Sequence, residues 1–256
     1  SLARKSVVIL ACRALRIPVV LHLHAAQLHR AWPNFPGPVQ WLVRQIFKLP
    51  AACIVLGRQS ADFVVNELRV PRHRVEIVIN GVPHPQPAGP RTEGPPRLLF
   101  VGNLSERKGV PELLEAMAQP SLTTLQVQLT LAGAGDLPHW RAQAHALGLD
   151  QRVHFEGWAD QQRVGQLLSQ SDALVLPSHD EGLPLAILEA LAYGVPVVCT
   201  PVGEIPHVLT DGRDACFVPP GDVQALAQAL TRVASDARLR ASLSAQGRAL
   251  WREHFT

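Results

Sequence analysis

The sequence lacks the long apolar runs that mark membrane-spanning proteins. No segment offers about 18 consecutive apolar residues, the length that a transmembrane helix needs. The longest nearly apolar stretch, residues 183–199, is interrupted by a Glu, a Gly and a Pro. The basic start does not lead into a signal peptide, because the apolar run after it has no small-residue cleavage site. We therefore expect a cytoplasmic protein.

Cysteine is scarce, and the usual metal motifs are missing. The four cysteines lie far apart in apolar surroundings, without any Cys-x-x-Cys spacing: Cys12, Cys53, Cys199 and Cys216. This pattern favours buried thiols over disulfides or a zinc site. No Asp-x-Asp occurs. The run His179-Asp180-Glu181 has the chemistry to bind a metal, but we expect no metal here.

The charge is unevenly distributed along the chain. Residues 1–100 carry 13 Lys and Arg against 4 Asp and Glu, whereas residues 101–256 carry 11 against 17. A cationic excess suits an anionic surface, such as a phospholipid leaflet or a phosphorylated acceptor, although a solvated basic face explains it equally well. A predicted helix at residues 39–47, with Trp41 and Leu42 near Arg44 and Lys48, either rests on a membrane or packs on a sheet.

A proline-rich segment divides the sequence into two parts. Residues 83–96 contain six prolines and no periodic apolar pattern, which is typical of an extended connector. After it, residues 97–256 alternate short apolar strands with amphipathic helices, a pattern that indicates a doubly wound parallel sheet. Residues 1–82 follow the same pattern less completely. We expect an α/β protein of two such domains, the first of them incomplete.

The predicted elements are short and regular. Strands are predicted at residues 19–23, 53–56, 75–79, 97–101, 126–132, 153–155, 173–176, 197–199 and 215–218. Helices are predicted at residues 3–15, 39–47, 60–68, 111–117, 137–147, 161–169, 183–193, 223–235 and 237–254.

The strongest motif lies at residues 177–189, where a strand ends, a loop turns through Gly182 and a helix begins with Pro184 in its first turn. The first N–H groups of a helix have no acceptor inside it. Those of Gly182, Leu183 and Leu185 are therefore available to an anion such as a pyrophosphate.

Two carboxylates belong to this motif. Glu189 lies among apolar helix residues, and a partly buried carboxylate requires donors. The two hydroxyls of a ribose would supply them, and a salt bridge to an Arg would serve as well. Glu181 precedes the helix, where it either caps the positive end of the helix dipole or contacts a ligand.

Two more loops are predicted to lie at the same sheet edge. One follows the strand at residues 97–101 and holds Gly102, Asn103, Arg107 and Lys108. The adjacent cations are suited to neutralising phosphates. The other follows residues 126–132 and holds Gly133 and Gly135, whose missing side chains let a ligand approach the backbone. Parallel sheets bind ligands at this edge.

These motifs together resemble the signature of glycosyltransferase family 4, whose members are retaining enzymes of the GT-B fold. Glu181 and Glu189 stand in the setting Pro-Ser-x-x-Glu-Gly-Leu-Pro-Leu-x-x-Leu-Glu-Ala-x-Ala-x-Gly-x-Pro-Val-Val. Asn80-Gly81-Val82, Arg107-Lys108-Gly109 and Val218-Pro-Pro-Gly-Asp222 follow in the family's order. The resemblance covers essentially the whole chain and implies two Rossmann-like domains.

The resemblance also implies roles for individual residues. Glu189 would hold the donor ribose, Glu181 would contact the donor sugar or phosphate, and Arg107 with Lys108 would grip the pyrophosphate. His24, with His22 as the second choice, would face the transferred sugar. Residues 1–82 would be the acceptor side, residues 83–96 a linker and residues 97–256 the donor-binding domain. The nucleotide-diphosphate sugar is a substrate, and neither cofactor nor metal is required.

The implied function is transfer of a sugar to a glycan or lipid-linked acceptor in polysaccharide or glycoconjugate biosynthesis, with no nucleic-acid partner. The chain resembles a fragment truncated at both ends, so we expect it to bind donor without efficient turnover. Departures such as Asn103 for the family's Arg, Ala25 for its acidic residue and Glu204 for its Gly leave the sugar open. The alternatives are a sugar-nucleotide epimerase of similar fold and a non-catalytic nucleotide-sugar-binding partner in a glycan assembly complex.

Overall fold

The computed structural model describes residues 2–23, 26–85 and 94–255. The chain divides into two compact units, Ser1–Asn80 and Gly81–Thr256. The division falls just before the proline-rich segment, of which residues 86–93 lie outside the described part.

The first unit is a small α/β layer built on three parallel strands in the order β1-β2-β3. Its elements are α1 (Leu2–Ala14), β1 (Val20–Leu23), α2 (Ala26–Ala31), α3 (Gly37–Phe47), β2 (Ala52–Val55), α4 (Arg58–Asn66) and β3 (Val75–Ile77), with 3-10 turns at Trp32–Asn34 and Arg72–Arg74.

Helix α3 shows how sequence spacing selects the buried face. Val43, Ile46 and Phe47 recur at helical spacing and are buried in the core of this unit. Trp41 and Leu42 lie on the other face, where Trp41 is 61% exposed. The predicted packing of this helix in the core is therefore observed, and its contact with a membrane stays a prediction.

The second unit is a six-stranded parallel sheet with helices between the strands, in the order β6-β5-β4-β7-β8-β9. Its elements are β4 (Arg97–Val101), α5 (Val110–Met117), α6 (Pro120–Thr124), β5 (Gln128–Ala132), α7 (Leu137–Ala146), β6 (Val153–Gly157), α8 (Gln161–Ser169), β7 (Ala173–Leu176), α9 (Leu185–Tyr193), β8 (Val197–Cys199), α10 (Ile205–Val208), β9 (Cys216–Phe217), α11 (Val223–Ser235) and α12 (Ala237–His254), with a 3-10 turn at Glu106–Lys108.

The strand order places a switch point in the middle of the sheet. From β4 the chain moves outward to β5 and β6, and it then returns to the other side of β4 for β7, β8 and β9. The loops that follow β4 and β7 therefore run in opposite directions and leave a crevice at the carboxyl ends of the strands, where doubly wound sheets bind ligands.

Local sequence explains why the helices begin where they do. Four of them are capped by an Asp whose carboxylate accepts a hydrogen bond from the first turn: Asp136, Asp160, Asp222 and Asp236. The strands β7 and β8 are buried at every position, because helices cover both faces of the sheet.

The α/β class and parallel sheets predicted from the sequence are confirmed, but one boundary in the main motif was wrong. Helix α9 begins at Leu185 instead of Leu183, because Pro184 has an extended ψ of 128° and stands at the cap position instead of in the first turn. The sequence pattern did not predict three short helices, α2, α6 and α10, because one or two turns are too short to show a helical period.

Candidate functional site

The loops after β4 and β7 are joined directly to each other. The His179 N–H donates to the Arg107 carbonyl oxygen at 2.9 Å. The Arg107 Nη1 donates to the Asp180 carbonyl oxygen at 2.8 Å. Gly109 sits so close to this loop that a Cβ there would lie 2.1 Å from the Pro177 carbonyl oxygen. The two loops therefore form one continuous wall at the switch point.

An ion pair at the centre of this wall joins Lys108 to Glu181. The Lys108 Nζ lies 2.5 Å from the Glu181 Oε1, and the two side chains are only 13% and 7% exposed. The Ser178 hydroxyl also donates to that oxygen, at 2.7 Å. Pairing compensates both charges, and removing either partner would leave the other buried alone. Lys108 is thus neutralised by the protein, whereas Arg107 is exposed and, among the described residues, bonds only to a carbonyl oxygen.

The loop after β8 supports the same wall from behind. The Thr200 hydroxyl donates to the Ser178 carbonyl oxygen at 2.5 Å, and the Glu204 N–H donates to the Gly182 carbonyl oxygen at 3.1 Å. Gly203 has a left-handed φ of +60°, and a Cβ there would lie 2.0 Å from the Glu181 carbonyl oxygen. Only glycine allows this contact, so the position of Glu181 depends on it.

The start of α9 presents unpaired donors. Within the described residues, the N–H groups of Gly182, Leu183 and Leu185 have no acceptor. A Cβ at Gly182 would meet no atom within 4 Å, so there is open space beside the backbone. The positive end of the helix dipole adds to these donors. Unpaired N–H groups of this kind are suited to an anion, and anion binding here stays a prediction.

Glu189 lies slightly more than one turn into α9 and is half-buried among Ile187, Leu188, Ala190 and Leu191. Burial raises the pKa of its carboxyl group above the ordinary value. In the part of the chain that the structure describes, its carboxylate has no hydrogen-bond or ion-pair partner. The salt bridge to an Arg, which was the alternative, is not present there. Glu189 belongs to the same helix whose start presents the unpaired donors.

The glycines after β5 are required by packing. A Cβ at Gly133 would lie 1.8 Å from the Gly102 carbonyl oxygen, and one at Gly135 would lie 2.6 Å from the Leu104 carbonyl oxygen. The loops after β4 and β5 pair here, with the Leu104 N–H donating to the Ala134 carbonyl oxygen at 2.7 Å. Close contact within the protein explains these glycines, and the approach of a ligand to them stays a prediction. Asn103 is exposed beside them.

The histidines expected to face the sugar belong to the first unit. His24 lies outside the described residues. His22 is exposed on β1, near the carboxyl end of that strand. Its role stays a prediction.

One pair near the site was missed in the sequence. The His179 Nε2 and the Glu112 Oε1 lie 2.6 Å apart, which links the β7 loop to α5. The other Glu112 oxygen is buried, and among the described residues it has no partner. His179 stands within the main motif, but Glu112 lies 67 positions earlier in an ordinary amphipathic helix. No local pattern signals that contact.

The described residues contain neither a membrane-spanning helix nor a cluster of metal ligands. No helix in residues 2–23, 26–85 and 94–255 is long and apolar enough to cross a bilayer. In the same ranges, no group of three or more His, Cys, Asp or Glu side chains is arranged to hold a metal ion. Within the run at residues 179–181, Glu181 pairs with Lys108 and His179 contacts Glu112.

The strand order and the switch-point crevice place the second unit among the doubly wound α/β domains. The chain belongs to the glycosyl transferases group 1, whose family model matches residues 95–236. The model of glycosyltransferase family 4 matches residues 5–85. The resemblance in the sequence is therefore confirmed at family level.

Similar proteins agree with this assignment. Glycogen synthase of Mycobacterium tuberculosis is 30% identical over 234 residues, which are 86% of this chain and 55% of that protein. Phosphatidyl-myo-inositol mannosyltransferase of Mycobacterium leprae is 34% identical over 166 residues, 62% of this chain and 44% of that protein. The chain thus spans about half the length of these relatives.

Solved structures establish the fold. Alr3699/HepE of Anabaena, crystallised with UDP and glucose, superposes on the whole chain with a TM-score of 0.80 at 20% identity, and the match covers 72% of that protein. The fold is therefore the GT-B fold, as predicted.

Proposed function

We propose that the protein to which this chain belongs transfers a sugar from a nucleotide-diphosphate sugar to a glycan or lipid-linked acceptor, with retention at the anomeric carbon. The observation that carries the proposal is the half-buried Glu189 carboxylate, which has no partner among the described residues and stands on the helix whose first N–H groups are unpaired. A nucleoside diphosphate would supply hydrogen-bond partners to both: its ribose hydroxyls would donate to the carboxylate, and its pyrophosphate would accept from the N–H groups.

The proposed donor site draws on three loops and one helix. Arg107 is the cation free to face the pyrophosphate, because Lys108 is already paired with Glu181. Lys108 then acts through the position it gives to Glu181, which contacts the sugar or phosphate. The residues assigned to the donor are Gly102, Asn103, Arg107, Lys108, Gly133, Gly135, Gly182, Leu183, Pro184, Leu185 and Glu189, with Glu181 and His24 as the catalytic pair.

The proposed reaction needs no covalent enzyme intermediate. The bond from the anomeric carbon to the phosphate oxygen breaks, and the acceptor oxygen bonds to the same face of that carbon. The acceptor proton passes to the departing phosphate oxygen. The exposed Arg107 and the N–H groups at the start of α9 stabilise the charge on the leaving diphosphate without a metal ion.

Relatives support an acceptor of this kind. One is named as a glycogen synthase and another as a phosphatidyl-myo-inositol mannosyltransferase, so a glycan and a phospholipid both occur in their names. We propose that the protein works in the cytoplasm, at the inner face of the membrane. Exposed Trp41 and Leu42 on α3 support this. Arg44 contributes less, because it contacts Glu67 and the Trp32 ring.

Calorimetric titration of the chain with UDP, GDP and ADP, each with and without magnesium, tests the proposal. We expect magnesium-independent binding of one nucleotide, weakened about 10- to 100-fold in Glu189→Ala. Glu115→Ala, which removes an exposed carboxylate from α5, serves as the control and should bind normally.

The titration has informative failures. Unchanged affinity in Glu189→Ala would refute the ribose assignment, and absence of binding to all three nucleotides would contradict the donor site proposed for this chain. Incubation of the full-length protein with donor, with and without acceptor, separates transfer from epimerisation, and NMR of the product reports the anomeric configuration. Inversion would contradict the retaining mechanism.

A further inference from the structure

A cavity lies in the first unit, at the amino ends of the strands and thus opposite to the edge where parallel sheets usually bind ligands. Its volume is about 750 Å³, within the range of small-ligand sites. It is lined by residues that precede all three strands and follow two helices, among them Val19 before β1, Ala51 before β2 and Arg74 before β3. Parallel α/β sheets bind substrates at the carboxyl ends of their strands, so the substrate sites expected for the fold do not account for this cavity.

The lining is strongly cationic. Arg13, Arg16, Lys48 and Arg74 contribute to it, and none of its described lining residues is an Asp or a Glu. The Arg74 Nη1 donates to the Lys48 carbonyl oxygen at 3.1 Å, which fixes its guanidinium and caps the end of α3. In the described part of the chain, the side chains of Arg13, Arg16 and Lys48 have no acceptor or ion-pair partner. Helix capping therefore accounts for Arg74 and leaves the other three cations unexplained.

Backbone geometry also brings one of these cations into place. Arg16 follows α1 with a left-handed φ of 56°. Glycine usually occupies that conformation at a helix end, because a side chain makes it less favourable. An arginine here adds a second cation, after Arg13, from the end of α1 to the cavity, which glycine could not do.

Apolar residues surround the cations at the surface. Ile17 and Leu49 line the cavity and are themselves exposed, and Leu15 between Arg13 and Arg16 is 71% exposed. Cations that alternate with exposed aliphatic side chains are suited to the interface of a lipid bilayer, where the cations meet headgroups and the aliphatic groups enter the acyl boundary.

We propose that this cavity binds a phosphate group, and that the phosphate belongs to the headgroup of an anionic phospholipid. The assignment rests on the four cations, on the absence of acidic lining residues and on the apolar rim. It does not depend on the donor site, because every residue involved belongs to the first unit.

Vesicle flotation tests the proposal. The 256-residue chain is mixed with vesicles of phosphatidylcholine alone or with one third phosphatidylglycerol, at about 50 mM and at about 500 mM salt. We expect binding to the anionic vesicles only, weaker at high salt. Arg13→Gln/Arg16→Gln should lower the partition coefficient at least about tenfold. Arg4→Gln/Arg58→Gln, which removes two exposed cations outside the cavity and leaves the same net charge, should lower it less than about threefold.

Calorimetric titration with inorganic pyrophosphate separates the two sources of phosphate. A loss of pyrophosphate affinity in Arg13→Gln/Arg16→Gln, without flotation of the unchanged chain, would support the phosphate site and overturn the lipid source. Equal losses of vesicle binding in the two double variants would overturn the proposal, because net charge alone would then explain binding. Absence of binding to every probe would overturn it as well. Circular dichroism confirms that each variant is folded.

Discussion

Replacing Glu189 with Gln should raise the stability of the ligand-free protein and weaken its binding of nucleotide. Burial raises the pKa of Glu189 above its ordinary value of 4.5. A raised pKa means that folding opposes ionisation, so the carboxylate costs stability above its folded pKa and costs nothing below the ordinary value. Gln has the same shape and no charge. The Tm of Glu189→Gln should therefore exceed that of the unchanged chain near pH 8 and approach it near pH 4.

The affinity change follows from the bonds that the carboxylate would make. Hydrogen bonds to a charged acceptor contribute about 1.5–3 kcal/mol each, and ionised Glu189 must first be desolvated, which offsets part of two such bonds. A net loss of about 1.4–2.8 kcal/mol corresponds to a 10- to 100-fold weaker Kd. Thermal unfolding at both pH values and nucleotide titration measure the two effects, with Glu115→Gln as the control. A lower Tm near pH 8, or an unchanged Kd, would refute the reasoning.

Two further predictions concern the wall behind the site. Lys108→Met should lose about 3–5 kcal/mol, because it leaves Glu181 buried without its cation, and Lys108→Met/Glu181→Gln should recover part of that loss in urea unfolding. If the double variant is no more stable than Lys108→Met, the loss of the ion pair does not explain the lower stability of Lys108→Met. Gly203→Ala should be destabilised by more than Gly212→Ala and should bind nucleotide less well, because both glycines have a left-handed φ but only Gly203 meets a carbonyl oxygen. Equal stability and affinity of the two Ala variants would contradict the proposed close contact.

Most of the second unit could be predicted from periodicity. Buried parallel strands form short apolar runs between amphipathic helices, and this pattern located the strands from β4 to β9 to within a few residues. The motif at residues 177–189 was equally informative, because a strand, a turn and a helix start follow each other there without a gap. Local signals of this kind depend only on neighbours in the sequence.

The contacts that complete the site depend on the fold instead. Lys108 and Glu181 are 73 positions apart, and each alone resembles a solvated charge. The packing roles of Gly133 and Gly203 follow from loops that meet only after the sheet has formed. The cationic cavity is similar, since its basic side chains come from three separate segments of the first unit: Arg13 and Arg16, Lys48, and Arg74. Composition revealed the excess of basic residues in that region, but it could not show which of them lie together in the folded protein.

The central place of β4 has a consequence for synthesis. Leu98, Leu99 and Phe100 are fully buried in the finished sheet. However, β4 is the first strand of that sheet to be synthesised, and its neighbour β7 begins only at Ala173. Until the ribosome has passed that point, a nascent chain carries an apolar strand with an open edge, which is a template for misassembly. The strand order that creates the crevice thus leaves this segment without its β7 neighbour for about 70 residues of synthesis.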